Sequence, residues 1–133
     1  MFRITIIVVI SLTFFSHRCI SQSINTMDSL ENSYQSCLDR GQHMLNCSKV
    51  YYQQMDSMLN MVYKDLRKKM TPADASQLKN SQIQWLKQRD KYFGNIVLEP
   101  EEKSLGKDDQ EMVILDKKSE FVRDRVLELM KKL

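Results

Sequence analysis

Apolar residues return every three or four positions along most of this chain, the spacing of one face of an α-helix. Between residues 46 and 69, Cys47, Tyr51, Met55, Met58, Val62 and Leu66 form one continuous stripe, which predicts a helix buried along a single side. An earlier helix is predicted from about Asp28 to Arg40, with Glu31 as a capping-box partner three residues after Asp28 and Gly41 as the stop. Thr71-Pro72-Ala73-Asp74 reads as a new start: Thr71 is the N-cap, Pro72 takes the first helical position and Asp74 favours the positive end of the dipole. That helix runs to about Phe93, burying Leu78, Trp85, Leu86 and Phe93, and Gly94-Asn95 end it. A linker over 94–108, holding Pro100, Gly106 and the glutamates Glu99, Glu101 and Glu102, is expected to be exposed. The last helix, 109–133, places Ile114, Phe121, Val122, Val126, Leu129 and Leu133 on one side. Lys117, Lys118, Glu120, Arg123, Asp124 and Glu128 fall on the other. The expected fold is all-α, a small bundle of about four helices.

Polar residues interrupt this pattern where burial is expected. Asp56, Asn60 and Tyr63 share one stripe of the second helix, and Gln82, Trp85 and Arg89 share one stripe of the third. A tight turn between the two helices predicts a polar seam, with Asn60 opposite Gln82 and Asp56 within reach of Trp85 or Arg89. An Asp56–Arg89 ion pair in that seam would cost about 3 to 5 kcal/mol if one partner were removed. As a catalytic set these residues are poor, because Arg keeps its proton and neither Asn nor Gln is an acid or base.

Residues 1–21 follow a different pattern. Arg3 precedes an apolar run from Ile4 to Phe15, and small residues lie near Ser21. This is the layout of a signal peptide cleaved after Ser21, leaving residues 22–133 as the domain. The run is shorter than the roughly 20 residues a membrane-spanning helix needs, so no permanent anchor is expected, and Arg18 is the wrong neighbour for a lipidation signal at Cys19. Cleavage removes Arg3 and Arg18 and no acid, leaving 18 basic against 17 acidic residues. Near-neutrality argues against a nucleic-acid partner. The expected location is periplasmic or secreted.

Cleavage also leaves two cysteines, Cys37 and Cys47. In an exported chain an even count favours a disulfide, and closing a loop of this length contributes about 2.5 to 3 kcal/mol. The spacing is neither a zinc nor a thioredoxin pattern, and His43 is the one histidine left. No metal cluster, nucleophile–base pair or paired carboxylates stand out, so no cofactor and no catalytic residue is expected. Lys64, Arg67, Lys68 and Lys69 close the second helix, where they complement the dipole; their functional alternative is contact with an acidic partner or envelope phosphates.

The order Cys37, Cys47, Asp56, Leu59, Asn60, Tyr63, Gln82, Trp85, Arg89, Asp90 resembles the lysozyme inhibitor LprI-like family of small exported bacterial helical proteins. The likeness covers a motif core of about 34–93, with a weaker echo at Arg125 and Leu129. Members of that family often carry a third cysteine near the position of Phe93 and a fourth near Ile114; neither is present here, which is consistent with a missing second disulfide and a less tethered 94–110 connection. The resemblance implies an exported binding module, with lysozyme as the sharpest partner. A basic or polar loop residue entering the lysozyme cleft would come from Arg40, His43 and Lys49 around the Cys37–Cys47 loop. The second reading is an envelope structural or assembly protein whose exposed last helix packs on another protein.

Overall fold

The computed structural model describes residues 17–133, with side chains from Asn25 onward. All but the last five residues of the expected signal peptide lie outside the described residues. Among the described residues there are five helices: α1 (His17–Leu38), α2 (Met44–Lys69), α3 (Pro72–Gly94), α4 (Pro100–Lys103) and α5 (Lys107–Met130). The protein is all-α, and Cys37 and Cys47 form a disulfide with Cα atoms 5.8 Å apart. Among the described residues no helix is long and apolar enough to cross a membrane.

Where the helices begin differs in part from expectation. α1 is already helical at His17, so Asp28 and Glu31 sit inside it and form no capping box; Glu31 instead pairs with Arg123 of α5. Thr71 caps α3 as its sequence implies. Its hydroxyl accepts from the Asp74 amide at 3.2 Å and donates to the Asp74 carboxylate at 2.7 Å. The expected linker contains the short α4, opened by a reciprocal capping box between Glu99 and Glu102.

The α2 stripe becomes the centre of the molecule. Met55, Met58, Leu59, Val62 and Leu66 pack with Val122, Val126, Leu129 and Met130 of α5, while Met27 of α1 and Leu78 and Trp85 of α3 close the sides. α2 and α5 are the most extensively packed pair. They run parallel: Lys49 near the start of α2 pairs with Glu111 near the start of α5 at 2.9 Å. α1 is antiparallel to both, since Cys37 meets Cys47, Tyr34 meets Asp116 and Glu31 meets Arg123. α3 also runs antiparallel to α5, with Ser81 and Gln82 at Arg125 and Trp85 stacked on Phe121, ring centres 5.7 Å apart.

The expected α2–α3 polar seam is not hydrogen-bonded across the two helices. α2 gives most of its buried face to α5 and α1, while α3 meets α2 about as much as it meets α5, with Tyr52 edge-on to Phe93 at 6.2 Å. Asn60 donates to the carbonyl of Asp56 on its own helix at 3.0 Å. Arg89 pairs with its neighbour Asp90 at 2.7 Å, so the Asp56–Arg89 pair is not made. Gln82 accepts from Arg125 Nε at 3.1 Å. On α2 the stripe runs from half-buried to exposed, and on α3 Gln82 and Trp85 turn to α5.

The 94–110 connection is tethered without a second disulfide. Lys117 Nζ donates to the Val97 carbonyl at 3.3 Å and pairs with Glu102 at 2.7 Å. The Gln110 amide donates to the carbonyls of Lys103 and Leu105. Phe93, where a cysteine is absent, meets Phe121 edge-on at 6.2 Å and lies under the Lys118 ammonium at 5.2 Å.

Candidate functional site

The α1–α2 corner, residues 39–43, is an exposed turn between two helices joined by the disulfide. Asp39, Arg40, Gly41, Gln42 and His43 are all exposed. Gly41 takes φ 66° and His43 takes φ 54°, two left-handed positions within three residues. Glycine adopts this conformation freely. For histidine it costs about 1 kcal/mol or more, and no side-chain cap compensates, because the His43 ring makes no hydrogen bond to the α2 N-terminus. The His43 carbonyl does accept from the amides of Asn46 and Cys47, which fixes the first turn of α2. Strain of this kind at an exposed corner persists only where the surroundings impose it.

Those surroundings are a stack of braces directly beneath the corner. The disulfide joins the last turn of α1 to the first of α2. One turn below it, the Tyr34 hydroxyl lies 2.8 Å from Ser48 Oγ and 2.6 Å from Asp116 Oδ1. A carboxylate only accepts, so Tyr34 donates to Asp116 and fully buried Ser48 donates to Tyr34, tying α1, α2 and α5 at one point. Burial, reinforced by the hydrogen bond to Asp116, pushes the Tyr34 hydroxyl up to about 12. Its ring stacks on Tyr51 at 4.4 Å; burial and then the charge of Glu31 raise the Tyr51 hydroxyl as well.

Arg40 and His43 line a depression of about 480 Å³ together with Gln42, Asn46 and the disulfide. Arg40 also borders a second, polar depression along α1, lined by Asn25, Asp28, Ser29, Asn32, Ser33 and Ser36. Lys49 is not part of this arrangement: its ammonium is held by Glu111, which makes it a brace between α2 and α5.

The motif residues divide into two groups. Leu59, Gln82 and Trp85 face inward. Asp56, Asn60, Tyr63, Arg89 and Asp90 lie on the surface or half-buried beside it, with Arg67 over the Tyr63 ring at 5.7 Å and Arg89 over the Trp85 and Phe93 rings at 5.8 Å each. Arg125, noted in the sequence only as an echo, is the one buried charge among the described residues, at 4 % exposure. It donates to Gln82, to Ser81 Oγ at 2.9 Å and to Glu128 at 2.6 Å. Its guanidinium also lies 5.9 Å from the Trp85 ring centre. Its position among Val122, Val126 and Leu129 was the available signal, since the last helix cannot bury that face without taking Arg125 with it.

A family model described as lysozyme inhibitor LprI matches residues 33–129, most of the chain. The chain belongs to the lysozyme inhibitor LprI family. No curated protein and no solved structure matches it. In this LprI-family protein the matched span takes in the disulfide corner, both groups of motif residues and Arg125. Among the described residues no cluster of His, Cys, Asp and Glu is arranged to hold a metal ion.

Proposed function

We propose that the chain is an exported, non-enzymatic protein that inhibits a lysozyme by seating the 39–43 corner in its catalytic cleft. The observation that carries this reading is the braced corner, considered within an inhibitor family. A rigid, strained, exposed segment loses little conformational entropy on docking. Retaining glycosidases place two carboxyl groups about 5 Å apart in the cleft, and an arginine fork with five donors can bridge such a pair. Arg40 is the residue placed to do so, with His43 beside it.

Charge at this end is mixed: Asp39 flanks Arg40, and Lys107 precedes Asp108 and Asp109 at the start of α5. Steering by net charge is therefore weak, and recognition rests on the shape of the corner and its arginine. The alternative in which the last helix is an exposed docking element loses its basis, because α5 supplies Val122, Val126, Leu129 and Met130 to the protein's own core.

The test is a titration of lysozyme activity with the oxidised protein, against chicken-type, goose-type and invertebrate-type enzymes. Saturating, stoichiometric inhibition of one class is expected. Arg40→Ala should weaken it by about 2 kcal/mol, roughly thirtyfold, as for a central interface arginine. Absence of inhibition of all three at micromolar excess would reject the reading.

A further inference from the structure

We propose that the end of the bundle opposite the 39–43 corner docks on an anionic lipid surface. The parallel placement of α2 and α5 builds this end. Starting from the Lys49–Glu111 contact, the same number of residues along each helix, about 30 Å at 1.5 Å per residue, leads to Lys69 and to Lys131. Two basic runs distant in sequence, Arg67-Lys68-Lys69 and Lys131-Lys132, therefore share one end face, and all five side chains are exposed. Lys68 pairs with Asp65 and Lys132 reaches Glu128 at 3.4 Å. Arg67, Lys69 and Lys131 have no ion-pair partner among the described residues.

Dipole complementation accounts for a basic last turn on one helix. It accounts for each run on its own helix, and the parallel pairing of α2 and α5 then gathers both runs on one face. Clusters of four to eight cations on one face are what anionic lipid headgroups recognise.

An independent observation selects a bilayer over other polyanions. α1 is antiparallel to α2, with its C-terminal end at the disulfide, so α1 starts at the basic end. The residues upstream of α1 include the apolar run from Ile4 to Phe15. The chain thus enters its fold from the basic face, so an apolar segment still attached there and seated in a membrane would hold this face toward the lipid. Docked this way, the protein presents the 39–43 corner away from the lipid. The proposal does not depend on the lysozyme reading.

The test is vesicle flotation of the protein in the form that cells export, using phosphatidylcholine alone and phosphatidylcholine mixed with phosphatidylglycerol. Binding only to the anionic vesicles, weakening as salt rises, is expected. Each cation near such a surface is worth about a fivefold change in partitioning. Lys69→Gln combined with Lys131→Gln should therefore lower it about 25-fold. Lys87→Gln combined with Lys91→Gln, on the outer side of α3, removes the same charge elsewhere and should leave partitioning within about twofold. Equal binding to both vesicle types, no binding to either, or an equal loss in the two double variants would overturn the proposal. So would displacement from anionic vesicles by a stoichiometric amount of single-stranded RNA, which would make the end a general polyanion site. Far-UV circular dichroism of each variant establishes that the helices are intact.

Discussion

Replacing Arg125 by Met removes the guanidinium while keeping a long apolar side chain in its place. Three hydrogen bonds are lost, to Gln82, Ser81 and Glu128, each about 1.5 kcal/mol when one partner is charged. Part of this is recovered, because the variant no longer buries a charge, and because half-exposed Glu128 and partly exposed Ser81 and Gln82 can turn to water. The balance is a loss of about 2 to 3 kcal/mol, or about 8 to 12 °C in Tm for a domain of this size. α3 should bear most of it, since that helix buries only Leu78 and Trp85. Urea unfolding followed by fluorescence reads this directly: the chain has one tryptophan, Trp85, beside the guanidinium. A double-mutant cycle between Arg125→Met and Gln82→Ala should give a coupling of about 1 kcal/mol. A loss below about 0.5 kcal/mol, or zero coupling, would refute the claim that Arg125 clamps α3 to α5.

Three further outcomes test the corner and its braces. Reducing the Cys37–Cys47 disulfide should lower stability by about 2.5 to 3 kcal/mol in the chain-entropy model, read by urea unfolding with and without reductant; an unchanged midpoint would contradict it. His43→Gly removes a side chain from a left-handed position, so stability should hold or rise by up to about 1 kcal/mol while lysozyme inhibition weakens. A clear drop in Tm would show that the left-handed conformation is not a strained one. Tyr34 has a native pKa of about 12, above the value near 10 of an unfolded tyrosine. Its contribution to stability is therefore complete below about pH 10 and is lost as pH rises from there through about 12. Ultraviolet titration should show a late-ionising tyrosine that Tyr34→Phe abolishes, and an unaltered late step in that variant would assign it elsewhere.

Local rules set much of this protein. Helical spacing from Cys47 to Leu66 is a property of neighbouring residues, and it marks the buried side of α2 whatever covers it. The Thr71 cap and the turn at Pro72 are equally local, and the cysteine count left one natural bridge. The sequence also offered Arg40 and His43 beside that bridge, although nothing in it foretold the left-handed backbone at His43. What it could not set was which helix covers which face. Periodicity gives a helix a buried side but no address for it, and Asp56, Asn60, Gln82 and Arg89 had stripes that fitted a seam between adjacent helices equally well. The choice fell to packing: α5 brings four large apolar side chains to α2, more than α3 with Leu78 and Trp85 can offer. α5 takes the centre, Gln82 and Trp85 turn to an arginine far along the chain, and Asp56 and Arg89 are left half-buried without each other. The parallel run of α2 and α5, and with it the gathering of two basic runs at the far end, exists only once that long-range pairing is made.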